Sequence, residues 1–482
     1  MDTNGSLKQK ALRGVMWSAI DKVGARMARF LVSIIVARIL MPSDYGIIGM
    51  LLIFMALSNL LLDSGIGQAL VQKKDRTQTD FSTAFYFNIF IGFVCYIILF
   101  FAAPLVARFY NVPVLVPVLR VFSIGLVLNS LCIVQRARLM INIDFKTMTI
   151  INFSGVLISG AVGIWTAYKG LGVWALVYQQ LAYQTVSVLL LWFLGKWIPA
   201  VEFSKESFKH LYRFGVNLLV AGGVATIMRE IYSIVIGKVY HATELGYYSK
   251  SVGLTDTVSG TVNEIINSVT FPILASIQHE RERMVAAYSN MLSMTAFFIF
   301  PAMTLMALLA PFFVKVVLTE KWVVAIPLIQ WLCFARMFTP ISSLNMNILN
   351  AIGRSDLFLK LDLSKLPLSI ITMVITLPIG VNAVVIGNFI CTFICYFINA
   401  YLPGKYFGFG VTAQFRIFYK KIISTLIMAG CVIFIVYLIN NDILKLIIGS
   451  IVALASYYAV SFLLKVPEVK EVNAVLLKIV KH

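Results

Sequence analysis

RFLVSIIVARILMPSDYG (residues 29–46) and REIYSIVIGKVYHATELG (229–246) align without a gap. Arg29 meets Arg229, Ser33 meets Ser233, Arg38 meets Lys238, Asp44 meets Glu244 and Gly46 meets Gly246. Aliphatic helices resemble one another by chance, so the aligned charges and the glycine carry the comparison. The two stretches fall at the ends of spans one and seven, which run in the same direction. The chain therefore reads as a parallel repeat of six helices, its halves related by an axis along the membrane normal.

Outward from this pair, apolar runs of the length a membrane helix needs recur near 14–38, 45–70, 82–107, 115–135, 148–168, 172–195, 212–237, 251–275, 288–315, 323–349, 357–378, 381–402, 417–439 and 443–464. The chain has 482 residues, 60% of them hydrophobic and 13% charged. A soluble domain carries about 25% charged residues, so this chain is not built to fold in water. It reads as an all-α polytopic membrane protein of about 14 transmembrane helices.

The formal net charge of +19 sits mostly in short loops between the spans. That distribution reads as topology and contact with anionic lipid, and it excludes nucleic acid as the partner. One alternating set of loops holds, among others, Lys8, Lys10, Lys73, Lys74, Arg76, Arg136, Arg138, Lys205, Lys209, Arg281, Lys420, Lys421 and Lys470. The other holds only Arg38, Arg108, Lys169, Lys238, Lys250, Lys315, Lys321 and Lys445. The bias is roughly 25 against 8, which puts both termini in the cytoplasm. An even number of spans requires the same. Residues 1–10 are polar and lead into a span too long for a signal segment, so no cleavable leader is expected.

The expected organisation is a first lobe over 1–198 (spans one to six), an amphipathic cytoplasmic linker over 199–211 and a second lobe over 212–403 (spans seven to twelve). Two further spans follow over 404–465, and an amphipathic cytoplasmic tail over 466–482. The six cysteines lie in apolar stretches and read as packing residues. No Cys/His cluster offers a metal site, and neither a metal nor a cofactor is expected.

Charges inside the spans point to function. Lys22, Arg26 and Arg29 share one helical face by their i, i+4, i+7 spacing. Arg120, Arg229, Arg336 and Lys365 are the other intramembrane bases. A charge at the centre of a membrane helix costs about 2.5–3.5 kcal/mol on insertion scales and faces a bundle interior or a wet path. Facing lobes would present Arg29 and Arg229 as a pseudo-symmetric pair. Guanidinium groups grip phosphate bidentately and keep their charge, so the seven bases together suggest a cationic cavity for a bulky anion. The competing reading is that each base staples a nearby acid, with Asp21, Asp63, Glu230, Asp256, Glu264 and Asp362 available. Asp63 and Glu264, in corresponding spans of the two halves, and Asp21 and Glu230 could equally bind a coupling cation (Na+ or H+) or balance charge. There is no GxSxG, Walker A or HExxH motif and no long external loop, which argues against a membrane-embedded polysaccharide polymerase or ligase.

The stretches ARILMPSDYGIIGM (37–50), DSGIGQALVQKKDRTQTDFSTAFYFN (63–88), GVWALVYQQL (172–181), LGYYSKS (245–251), FPILASIQ (271–278), EKW (320–322) and SSLN (342–345) resemble those of the Wzx-type polysaccharide flippases, the WzxC/TuaB-like branch. The resemblance runs over nearly the whole chain. It implies the multidrug/oligosaccharidyl-lipid/polysaccharide exporter fold, a V of two six-helix lobes with two additional C-terminal helices. It also implies a substrate, an oligosaccharide repeat unit linked by diphosphate to undecaprenol. That substrate would cross the bacterial cytoplasmic membrane by alternating access to build O-antigen, capsule or exopolysaccharide. Membrane lipids are implied as further partners, with a polysaccharide polymerase and co-polymerase as candidates. The alternatives within the superfamily are a lipid II-type flippase and a cation-coupled multidrug antiporter. The antiporter needs an acid-dominated cavity, which the basic lean of the central charges disfavours.

Overall fold

Membrane depth leaves the backbone no water to bond with, so each apolar run closes its own hydrogen bonds as a helix. A computed structural model describes residues 24–63, 67, 70, 71, 73 and 75–480, and among these there is no strand. The first helices are α1 (Arg26–Ile39), α2 (Pro42–Asp63), α3 (Gln78–Tyr110), α4 (Leu115–Phe122), α5 (Ile124–Ile141), α6 (Phe145–Tyr168) and α7 (Val173–Gly195). A long helix, α8 (Lys205–Ser276), follows. Then come α9 (Arg281–Phe313), α10 (Ile326–Met337), α11 (Thr339–Ala351), α12 (Ser355–Thr376), α13 (Val381–Phe407), α14 (Val411–Leu438), α15 (Asp442–Leu463) and α16 (Pro467–Val480).

Nine of the described segments are long and apolar enough to cross a membrane. The other five expected spans fall on α1, α7, two parts of α8, and α12; the start of the first, residues 14–23, lies outside the described residues. Large apolar side chains stand exposed along the helices, among them Phe101, Phe193, Leu426, Leu454 and Leu463. In water so much exposed apolar surface would drive association; in a bilayer it is the lipid-facing surface. The chain is an all-α polytopic membrane protein.

Local chemistry sets the helix starts. Thr77 and Asp80 form a capping box that opens α3. The Asp144 carboxylate accepts the Thr147 amide at 3.1 Å before α6, and Asn441 accepts the amides of Ile443 and Leu444 at 2.9 and 3.2 Å before α15.

The repeat announced by the sequence has a structural counterpart. Helix α1 ends at Ile39, Leu40 is extended (φ −75°, ψ 163°), and α2 starts at Pro42. In the second copy the break falls at His241 (φ 69°, ψ −176°), so α8 is two helices joined at that residue. A Cβ on Gly46 would overlap the Ala242 carbonyl, and a Cβ on Gly246 would overlap the Pro42 carbonyl. Pro42 and Ala242 hold equivalent places in the two copies. The contact is therefore reciprocal, as at a two-fold axis, and only glycine lets the backbones come this close.

The chain divides into two compact units, Met1–Gly246 and Tyr247–His482, so the residues of the seventh expected span fall within the first. In this first unit α6 packs along α7 and α1, and α5 along α3 and α7. No separate helix forms over 199–204. Residues 196–204 run without regular structure and are tied to the start of α3. Trp197 Nε1 donates to Gln78 Oε1 at 2.8 Å, and the amides of Ala200 and Ser204 donate to Ser82 and Thr83 hydroxyls at 2.9 and 3.0 Å. In the second unit α9 packs on α10 and α14, and α14 on α15. Its tail helix α16 docks by Val469, with Val466 just before it, into a cluster with Phe297, Val432 and Tyr457.

Candidate functional site

The first unit encloses a cavity of about 610 Å³. α1 lends it Arg29 and Ser33, α2 lends Asn59, α7 lends Gln180 and Tyr183, and the first part of α8 lends Arg229 and Glu230. The pair Arg29 and Arg229, equivalent in the repeat, thus lines one chamber. Among the described residues each guanidinium has donors to spare. Arg29 Nε bonds the Ala25 carbonyl one turn back at 3.3 Å. Arg229 Nε bonds Glu230 Oε1 at 3.1 Å, and its side chain is 69% exposed. Among the described residues Glu230 is the only acid lining the cavity, against two arginines, so this part of the chamber leans positive. Two guanidinium forks with free N–H groups suit a multiply charged oxyanion.

The remaining intramembrane bases have other surroundings. Arg120 rests 4.3 Å from the centroid of the Phe100 ring and bonds the Phe100 carbonyl at 3.3 Å, away from the lining. Arg26 is half-buried one turn before Arg29 and does not line the chamber. In the second unit Arg336 pairs with Asp256 at 2.6 Å, and Ser259 bonds its carbonyl. Lys365 pairs with Asp362 at 2.6 Å. Here the stapling reading holds. Asp63 lies exposed at the end of α2, and Glu264 is exposed on the second part of α8. Lys22 and Asp21 fall outside the described residues.

One cation counted with the cytoplasmic loops is buried. Lys421 is 2% exposed, lies 3.1 Å from Glu468 of α16, and donates to Ser293 at 2.7 Å. Ser293 in turn donates to Glu468. Positive-inside reasoning cannot see this, because the acid arrives from a different element.

Sequence reasoning also passed over the amides of the first unit. Gln179, Gln180 and Gln184 lie in the run YQQLAYQ (178–184) at the middle of an uncharged span. Amides hardly lower a hydropathy average, but three within six residues at helical spacing were a readable signal.

These elements build a fold shared with solved membrane transporters. The structure superposes on "Lipid II flippase MurJ, inward closed conformation" with a TM-score of 0.72 at 15% identity, covering 93% of this chain and 98% of that one. On an inward-facing multidrug resistance MATE family transporter of the MOP superfamily the TM-score is 0.62 at 14% identity, covering 80% of this chain and 98% of that one. Residues 35–327 match the family model described as "Polysaccharide biosynthesis protein". The chain belongs to that family. Similar proteins include teichuronic acid biosynthesis protein TuaB of Bacillus subtilis (strain 168), 25% identical over 73% of each chain. Another is lipopolysaccharide biosynthesis protein WzxC of Escherichia coli (strain K12), 26% identical over 77% of this chain and 76% of that one.

Proposed function

We propose that the protein flips a polyprenyl-diphosphate-linked oligosaccharide repeat unit from the cytoplasmic face of the bacterial inner membrane to the other side. The diphosphate is gripped by Arg29 and Arg229 while the polyprenyl tail stays in lipid. The observation that carries this reading is the presence of both repeat-related arginines in one cavity with a single acid among its described lining residues. Membership in the polysaccharide biosynthesis family and the names of TuaB and WzxC support a glycosylated lipid as cargo. The fold shared with these transporters supports alternating access. Among the described residues the chamber is not acid-dominated, as a cation antiporter would need, and there is no catalytic constellation for a polymerase. Both termini lie in the cytoplasm on this reading, as the loop charges require.

Asp63 and Glu264 are the candidates for a coupling Na+ or H+. A polymerase and its co-polymerase are natural recipients of the flipped unit. The test is reconstitution in liposomes with fluorescent polyprenyl-diphosphate sugars, following head-group accessibility. A hydrogen bond to a charged group contributes about 1.5–3 kcal/mol. Arg29→Ala and Arg229→Ala should therefore each slow flipping about 10- to 100-fold. Unchanged flipping in both variants would falsify the paired-arginine grip, and transport of cationic dyes would favour the antiporter.

A further inference from the structure

The arginine chamber does not end at its own wall. Gln180, Tyr183 and Gln184 of α7 line it and also line a second cavity of about 350 Å³. The far side of that cavity carries Asn129 and Arg136 of α5 and Asn152 of α6. The three shared side chains fall at i, i+3 and i+4, on one face of α7. The two cavities thus adjoin across one face of α7: the first holds Arg29 and Arg229, and the second holds a single cation, Arg136, beside the amides of Asn129, Asn152, Gln180 and Gln184.

The amides are ordered relative to one another. Asn129 Nδ2 donates to Asn59 Oδ1 at 3.0 Å, and Asn59 Nδ2 donates to the Met55 carbonyl at 2.8 Å. Tyr183 donates its hydroxyl to Asn152 Oδ1 at 3.4 Å, and Arg136 Nη1 reaches Asn129 Oδ1 at 3.5 Å. Others are left over. Gln180 is exposed to the second cavity and makes no hydrogen bond to any described residue. Gln184 Oε1 is buried with no hydrogen-bond partner among the described residues. Amides at membrane depth are costly without partners, so this cavity is wet or takes a ligand that supplies them.

The chemistry of that ligand is constrained. The described lining of the second cavity has no acid and carries Arg136, so a cation gains nothing there. An acyl chain would leave the amides unsatisfied. Hydroxyl groups both donate and accept, matching the two donors and one acceptor of each amide, and the Tyr183 ring offers a flat apolar face. We propose that this amide-lined cavity is the saccharide subsite of the transporter, holding the sugars while Arg29 and Arg229 in the adjoining chamber hold the diphosphate. The proposal rests on the diphosphate reading above and extends it.

The experiment measures binding to the full-length protein in nanodiscs with two probes. One is undecaprenyl diphosphate without sugar; the other is the undecaprenyl-diphosphate-linked repeat unit isolated from the producing strain. The wild type should bind the glycosylated lipid more tightly. Gln180→Leu combined with Tyr183→Phe removes hydrogen-bonding groups from one exposed and one half-buried side chain, so folding is retained. It should weaken the glycosylated lipid about tenfold and leave the bare diphosphate lipid within about twofold. Arg29→Gln should weaken both probes alike. Equal wild-type affinities for the two probes, or the same loss for both in the amide variant, would overturn the saccharide subsite. If Arg29→Gln leaves both probes bound while the amide variant still discriminates, the diphosphate grip falls and the saccharide subsite stands.

Discussion

The two units use intramembrane cations in opposite ways. In the second, Arg336 meets Asp256, Lys365 meets Asp362 and Lys421 meets Glu468, each within 3.1 Å. In the first, Arg29 leans on a backbone carbonyl, and Arg229 shares a single contact with its neighbour Glu230 beside an open chamber. A paired charge offsets its own desolvation and becomes a staple. A charge with donors to spare at a cavity keeps its desolvation as binding potential for an anion. The same residue type at similar depth in the sequence therefore carries structure in one place and is available for cargo in the other.

The sharpest way to break this contrast is to remove one partner of the buried pair. Lys421→Met leaves Glu468 uncompensated among apolar neighbours and should cost about 3–5 kcal/mol. This would be read as a lower melting temperature in detergent. Adding Glu468→Leu to the same chain should restore most of it, because a well-packed apolar pair is about as stable as a buried ion pair. A melting curve for Lys421→Met that matches wild type would mean the pair is no staple.

Next in size is the reciprocal glycine contact. Gly46→Ala puts a methyl group into the Ala242 carbonyl. No rotamer change can relieve that, so destabilisation should be at least the roughly 1–3 kcal/mol of an overpacked core. Gly246→Ala should cost a similar amount if the two copies are true equivalents. A large difference between them, measured by thermal melting, would weaken the two-fold relation.

Much of the fold was legible. Helical length and apolarity marked the spans, because the bilayer enforces both. The gapless pairing of 29–46 with 229–246 put Gly46 and Gly246 at equivalent positions; the breaks at Leu40 and His241 and the close approach of the two glycines came only with the structure. The positive φ of His241 was not read from the sequence, because neither His241 nor its neighbours Tyr240 and Ala242 is a glycine. Of the site, the pairing of Arg29 with Arg229 was readable from register alone. The fates of Arg120, Arg336 and Lys365 were not, because an aromatic ring, an acid and a cavity leave the same arginine or lysine in the sequence. Lys421 was counted with the loops because Glu468 comes to it only through the docking of α16. The amide face of α7 was passed over for a simpler reason: glutamine in a long apolar span carries no charge to catch the eye.

Two arginines from equivalent positions acting on one anion is the claim beneath the rest. A double-mutant cycle tests it directly, with head-group flipping measured in liposomes for Arg29→Ala, Arg229→Ala and the double variant, and melting followed in parallel. If both side chains grip the same diphosphate, the double variant should be slowed little more than either single one, with all three melting as the wild type does. Independent, fully multiplying losses, or losses that track a falling melting temperature, would contradict it.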